Sequence, residues 1–139
     1  MTTEEGRSIP LDTEKVVGAW VDFWNTYELL KVDELFVTDS SLTYLSSEKE
    51  GVMQGIDAVR DHHKGFGFVE GGKESANKLW VEDLQTTQLD AAAVVAGIWF
   101  FQRPTGRIQR GPFTSVYALK GNEYRLVHQN FGNYPDRET

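Results

Sequence analysis

At 139 residues the chain has the length of one domain, and that length can bury a hydrophobic core without disulfide bonds or metals. Its 21 acidic and 14 basic residues give a formal net charge of −7. That charge repels phosphate backbones and anionic lipid surfaces, so we expect no nucleic-acid partner and no membrane partner. The absence of cysteine excludes disulfide bonds, thiol catalysis and cysteine-ligated zinc, and it fits the reducing cytoplasm, where we expect the protein to be located.

The N-terminal segment is predicted to be a flexible leader. Residues 1–10 are polar and charged and lack the apolar stretch of a signal peptide, so we expect no export signal. The longest apolar run, Ala91–Phe101, is too short to cross a bilayer. No repeat or low-complexity tract interrupts the chain. We therefore predict a leader over residues 1–11 and a single domain over residues 12–139.

An aromatic stripe defines the first predicted helix, over residues 12–31. Asp12 or Thr13 can cap its N-terminus. Bulky side chains then recur at a spacing that places them on one helical face, which is typical of a helix that packs against a core. The members of this stripe are Val16, Trp20, Phe23, Trp24 and Tyr27. Some of these rings are also candidates for the floor of a pocket.

Three further elements are predicted before the middle of the chain. Val32–Val37 forms a short helical turn, and Leu42–Ser46 alternates as a strand. A second helix runs from Ile56 to about Gly65. The segment that follows, Gly65–Gly72, contains four glycines and is predicted to be a mobile loop or lid.

The second half of the chain predicts strands joined by short turns. The apolar run in the second of these strands suggests burial on both of its faces. The predicted strands span residues 77–88, 91–103, 107–120 and 123–134. Consecutive strands with tight turns form an antiparallel meander. Helices followed by strands predict an α+β fold, in which a curved antiparallel sheet packs against N-terminal helices.

This order of elements resembles the nuclear transport factor 2-like superfamily, which includes SnoaL-like and ketosteroid-isomerase-like proteins. Three segments carry the resemblance: the acidic stretch Asp33–Asp39, the helix start Gly55–Arg60 and the closing hairpin Val116–Gly132. The resemblance implies a cone-shaped, cystatin-like roll with a central cavity, and a homodimer formed through the sheet. It does not imply one activity, because this fold carries several enzymes as well as binding modules.

The resemblance also bears on the class of ligand. Ketosteroid isomerases hold a tyrosine, a basic aspartate and an acidic donor where this chain has Trp20, Tyr44 and roughly Thr114, so isomerase chemistry is disfavoured. Kinase-association members carry arginines where this chain has Trp99 and Ser115. Their replacement by a ring and a hydroxyl favours a flat, apolar, cyclic ligand over an anionic one.

Three side chains are candidates for acid/base chemistry. Tyr44 lies on a strand that the family uses to line the cavity, so its hydroxyl could polarise an oxygen or simply complete the wall. Helical periodicity predicts that His63 faces inward. There it could carry a proton, or it could be a buried imidazole with a backbone hydrogen bond. His128 shares a strand face with Asn130, and that face lines either the cavity or a dimer contact. The adjacent His62 and His63 point about 100° apart on a helix, so we expect no metal site and no cofactor.

The sequence therefore predicts a SnoaL-like protein whose cavity binds a hydrophobic cyclic metabolite. If it is catalytic, His128 or His63 moves a proton and Tyr44 polarises an oxygen. The predicted ligand contacts are Trp20, Trp24, Tyr27, Trp80, Trp99, Phe101, Phe113, Ser115 and Asn130. The alternative is a non-catalytic homodimeric binding or association module of the same fold.

Overall fold

The computed structural model describes residues 9–135, which fold as helices packed on a six-stranded sheet. The helices are α1 (Thr13–Thr26), α2 (Val32–Leu35) and α3 (Ile56–Gly65), with a 3₁₀ turn over Leu29–Lys31. The strands are β1 (Thr43–Leu45), β2 (Met53–Gln54), β3 (Lys78–Gln88), β4 (Ala92–Gln102), β5 (Ile108–Lys120) and β6 (Glu123–Phe131).

The strand order is β2-β1-β6-β5-β4-β3, and the meander β3 to β6 is antiparallel as predicted. The sheet as a whole is mixed, because β1 pairs in parallel with β6, placing Thr43 opposite His128. Thr43 and His128 are 85 positions apart in the chain, so local periodicity carries no information on the relative direction of the two strands. The α+β cone predicted from the sequence is confirmed, with this parallel pair as the correction.

Helix α1 is shorter than the predicted 12–31. Asp12 caps it, accepting a hydrogen bond from the Lys15 backbone N–H at 3.2 Å. The helix ends at Thr26 because Tyr27 adopts a left-handed conformation (φ 57°) and donates its N–H to the Phe23 carbonyl. Tyr27 is buried, and so is Leu29 in the 3₁₀ turn that follows.

The side chain of Asn25 fixes α1 along the edge strand β3. Its Nδ2 donates to the Leu79 carbonyl at 2.9 Å, and its Oδ1 accepts from the Leu79 N–H at 2.8 Å. The amide therefore pairs with the strand as another backbone would. This contact sets the position of the α1 rings above the sheet.

The glycine-rich segment Gly65–Gly72 is anchored at its middle. Phe68 is buried, and its ring lies 4.7 Å from that of Phe23 and 4.8 Å from that of Tyr27. The Val69 N–H donates to the Tyr27 carbonyl at 3.0 Å. The predicted mobile lid is thus a loop pinned to the end of α1 by a ring and a backbone hydrogen bond.

Of the predicted leader, residues 1–8 lie outside the described residues. The remainder contacts the sheet. The Leu11 N–H donates to Gln88 Oε1 at 2.8 Å, and the Ile9 carbonyl accepts from the Tyr124 hydroxyl. Leu11 also packs against the core, so residues 9–11 are held rather than loose. The domain boundary at residue 12 stays a prediction.

A β-bulge in β6 decides which of its side chains face the helices. Val116 pairs with His128, whereas Tyr117 pairs with Leu126, so β6 has one extra residue at this point. As a result Leu126 and Gln129, three positions apart, are both fully buried. The bulge turns His128 to the opposite, outer face of the sheet.

Strand β4 is buried on its inner face only. Val95 and Trp99 face the helices and are buried, whereas Ile98 and Phe100 on the outer face are half-buried. The prediction of burial on both faces is therefore wrong for the single chain. The apolar composition of the run comes from an outer face that is also apolar.

Gly111 allows the chain after β6 to cross close to β5. A Cβ at this position would lie 2.0 Å from the Gly132 carbonyl oxygen. The same oxygen accepts a hydrogen bond from Trp99 Nε1 at 3.0 Å. The close approach thus fixes the orientation of the Trp99 indole on the inner face.

Candidate functional site

A cavity of about 170 Å³ lies between the inner face of the sheet and helices α1 and α3. Its wall is mostly aromatic, and its polar side chains are gathered at the β1 end and at the β4–β5 hairpin end. The lining residues are Trp20, Trp24, Tyr27, Tyr44, Ser46, Ser47, Glu48, His62, Phe66, Asn77, Leu79, Trp99, Phe101, Arg103, Gln109 and Phe131.

The aromatic wall is held rigid by ring-on-ring packing. Trp20 stacks on Phe131, with centroids 5.6 Å apart and planes 13° apart, and on Phe113 at 5.8 Å and 24°. Trp24 meets Phe101 edge-on at 6.3 Å. These contacts orient the rings before any ligand binds, which lowers the entropy cost of binding.

Tyr44 and His62 form the polar edge next to α3. Their ring centroids lie 5.2 Å apart, and neither side chain has a hydrogen-bond partner among residues 9–135. Burial, with the charge of Lys49 second, lowers the pKa of His62, while burial raises that of Tyr44. At neutral pH the site therefore offers an imidazole lone pair beside a phenolic hydroxyl.

His63, predicted as a proton carrier, does not line the cavity. It is fully buried, and its Nδ1 donates to the Val59 carbonyl at 2.8 Å, which leaves Nε2 as an unprotonated acceptor. The rings of Phe23 and Phe68 lie 5.0 and 5.1 Å from the imidazole. Helical periodicity correctly predicted that His63 points inward. At this turn of α3, however, an inward side chain lies in the packed core. The neighbouring His62 is the residue that reaches the cavity.

His128 and Asn130 lie on the outer face, away from the cavity. The bulge in β6 causes this reversal, so the prediction that they face a ligand is wrong for the single chain. His128 Nδ1 and Thr43 Oγ1 are 2.7 Å apart, a hydrogen bond that joins β6 to β1. The inward positions on this part of β6 belong to Gln129 and Phe131 instead.

Three other predicted contacts also lie off the cavity wall. Trp80 is on the outer face, stacked on Phe100 at 5.3 Å, because β3 alternates Leu79 inward and Trp80 outward. Phe113 faces inward but is covered by the Trp20 ring. Ser115 is buried deeper, where its Oγ accepts from Gln129 Nε2 at 2.9 Å.

The structure brings five predicted contacts to the cavity wall together with Tyr44. These contacts are Trp20, Trp24, Tyr27, Trp99 and Phe101. Tyr27 also accepts a hydrogen bond from Asn77 Nδ2 at 2.9 Å, so its hydroxyl is fixed. Each of these rings belongs either to the aromatic stripe predicted for the first helix or to the inward-facing positions of β4. Both periodic patterns correctly predict which side chains point inward.

The cavity mouth is polar and was missed by the sequence reasoning. Arg103 Nη2 donates to Gln109 Oε1 at 3.0 Å, and Gln109 Nε2 donates to Glu48 Oε2 at 2.8 Å. Arg103 continues the inward alternation of Trp99 and Phe101, which was the available signal. Glu48 carried no such signal, because it lies in the turn after β1.

Within residues 9–135, no three His, Asp or Glu side chains are grouped so that they could hold a metal ion. In the same range, no helix is long and apolar enough to span a membrane. The polar groups of the cavity are thus single hydrogen-bonding and acid/base groups.

The buried His63 predicts a specific pH dependence of stability. Burial lowers its pKa from 6.5 to about 3, so between these values only the unfolded chain binds the proton. The free energy of unfolding should therefore fall as pH falls through this window, by up to about 1.4 kcal/mol per pH unit. Urea unfolding between about pH 4 and 7 should show a shallower slope in His63→Gln than in the wild type. All other titratable groups are the same in the two proteins. Equal slopes would therefore contradict the lowered pKa of His63.

Comparison with known proteins identifies the fold. No protein-family model and no curated protein match the chain. Solved structures do match. An NTF2-like superfamily protein from Salmonella enterica serovar Typhimurium has a TM-score of 0.72 and 16% identity, over 91% of this chain and 92% of its own. An NTF2-like protein of unknown function from Pseudomonas putida has a TM-score of 0.77 and 10% identity, over 91% and 87%.

The association domain of C. elegans CaMKII matches with a TM-score of 0.70 and 16% identity, over 87% of this chain and 92% of that one. A cystatin-like protein from Caulobacter vibrioides also gives a TM-score of 0.70, at 14% identity over 88% and 87%. At these identities the likeness establishes the fold and not the activity. The chain has the nuclear transport factor 2-like, or cystatin-like, cone fold.

Proposed function

We propose that this protein binds a flat, hydrophobic metabolite of one or two rings in its central cavity, and that it acts in the cytoplasm. The observation that carries the proposal is the cavity of about 170 Å³ walled by Trp20, Trp99 and Phe131. An apolar cavity of about 150 Å³ is sufficient to bind benzene. Aromatic walls favour flat ligands, because stacked and edge-on ring contacts add to the hydrophobic term.

The same cavity supports acid/base chemistry through His62 and Tyr44. A neutral imidazole beside a bound ligand can accept a proton from a carbon next to a carbonyl. The Tyr44 hydroxyl, kept protonated by burial, can donate a hydrogen bond to the oxygen on which negative charge develops. His62 takes the role that sequence reasoning gave to His63 and His128, since it is the histidine that lines the cavity.

Binding is tested with 2-tetralone, a neutral two-ring ketone. We expect it to quench the fluorescence of the cavity tryptophans and to raise the melting temperature. Ser46→Phe adds a ring at the lining near the mouth and should weaken binding about tenfold or more. Ser40→Phe, at an exposed turn outside the cavity, is the matched control. Equal affinity for both variants and the wild type would place the ligand elsewhere.

Proton transfer is tested by deuterium exchange into the carbons next to the 2-tetralone carbonyl, followed by NMR. The wild type should accelerate exchange, and His62→Gln should lower the protein-catalysed rate about 100-fold or more. Tyr44→Phe should lower the same rate without abolishing binding. His128→Gln, on the outer face, should leave it unchanged. Binding without exchange would restrict the protein to binding, and exchange that is unaffected in His62→Gln would contradict His62 as the base.

A non-catalytic homodimeric association module is the alternative function. Its support is the outer face of the sheet, where the apolar side chains are only half-buried in the single chain and form a continuous surface. These side chains are Val94, Ala96, Ile98, Phe100 and Val116. A contiguous apolar patch of this kind is typical of protein–protein contact sites. A solved structure with this fold is itself an association domain.

Light scattering after size exclusion tests the dimer. We expect a mass of twice the 15.8 kDa chain for the wild type. Ile98→Asp buries a charge in the proposed contact and should convert the protein to monomer. Leu30→Asp, on an exposed side chain outside the sheet, should remain dimeric. A wild-type mass near 15.8 kDa would refute the dimer.

A further inference from the structure

We propose that the ligand is a cyclic carboxylic acid whose rings lie in the aromatic cavity and whose carboxylate binds Arg103 at the mouth. This inference rests on the proposed binding function and adds the charge and orientation of the ligand. It reverses the expectation that an anionic ligand is disfavoured. That expectation rested on the absence of arginine at positions 99 and 115, whereas here the guanidinium comes from Arg103, directly after the end of β4.

The fold places Arg103 just beyond the aromatic wall. The inward side chains near the end of β4 are Trp99 and Phe101, and Arg103, one residue beyond the strand, continues this alternation, so the guanidinium follows directly after the rings. Its Cζ lies 5.2 Å from the centroid of the Phe101 ring. This cation–π contact holds the guanidinium against the cavity edge and leaves its N–H groups available at the edge of its plane.

Most of the hydrogen-bonding capacity of Arg103 is unused within residues 9–135. A guanidinium has five N–H donors, and the Arg103 side chain makes one hydrogen bond, from Nη2 to Gln109 Oε1 at 3.0 Å. Among the described residues it forms no ion pair with a carboxylate. A half-buried guanidinium without a counter-ion is a ready partner for an anion.

The carboxylate of Glu48 is held apart from Arg103 by Gln109. The Gln109 amide turns its oxygen to Arg103 and its nitrogen to Glu48, which it binds at 2.8 Å. Glu48 Oε2 also accepts from Ser47 Oγ at 3.3 Å. Gln109 thus links the two groups with one hydrogen bond to each, and the other N–H donors of Arg103 are not bonded to Glu48. Lys49, whose charge acts on His62, adds positive potential on the same side.

The arrangement fits a carboxylate better than a phosphate. A single planar guanidinium can bind a carboxylate through two parallel hydrogen bonds. A phosphate ester carries more negative charge than a carboxylate. Among the described residues that line the cavity, Arg103 is the one cation, and Glu48 is also part of that lining. The ring system of the ligand would therefore lie against the apolar wall, and its acid group would bind the single guanidinium just beyond that wall.

The test compares indane-2-carboxylate with indane-2-carboxamide by calorimetry at about pH 7. The two probes share ring system and shape and differ in charge. We expect the wild type to prefer the acid by about tenfold, the ratio that one charge-assisted hydrogen bond supports. Arg103→Met should remove the preference by weakening the acid and leaving the amide unchanged. Arg103→Lys should keep part of it, since the charge remains without the planar fork.

Arg110→Met is the matched control. Arg110 also lies over an aromatic ring, that of Tyr134 at 4.9 Å, but on the outer face of β5. It should keep the full preference for the acid. Equal binding of acid and amide by the wild type, or a preference that persists in Arg103→Met, would overturn the inference while leaving the proposed function intact. If neither indane probe binds and 2-tetralone does not bind either, both this inference and the proposed binding function are overturned.

Discussion

The packing of α1 against the inner face of the sheet is the contact on which the rest of this structure depends. Trp20 lies flat on Phe113 and Phe131, and Asn25 pairs with the backbone of β3. Together these two contacts fix both the height and the rotation of the helix over the sheet. The cavity lies beside these contacts, between α1, α3 and the inner face of the sheet.

The same packing separates core from cavity among neighbouring residues. His63 lies under Phe23 and Phe68 with its proton held by a backbone carbonyl, whereas His62, one residue earlier, lines the cavity beside Tyr44. One histidine is therefore part of the packed core, and the other lines the cavity. The 100° step between consecutive helical residues is sufficient to produce this difference.

The two faces of the sheet support different roles. The inner face carries rings and ends in the polar mouth formed by Arg103, Gln109 and Glu48. The outer face is apolar along β4 and holds His128 against Thr43. Ligand binding inside the cone and association through its outer surface are therefore compatible, because no cavity-lining side chain belongs to the outer face. A dimer would leave the candidate site open.

The amino-acid sequence by itself determined the α+β class, the order of the main helices and strands, and the inward direction of the aromatic stripe of α1 and of the alternating rings of β4. Each of these follows from an unbroken local period of 3.6 or 2 residues. The tertiary structure alone decided the face of His128 and Asn130, since a single bulged residue in β6 reverses them and leaves no mark in the periodicity. It also decided the parallel pairing of β1 with β6 and the linking of Glu48 to Arg103 through Gln109 at the mouth. Those contacts join residues far apart in the chain, where no local pattern constrains distance or direction.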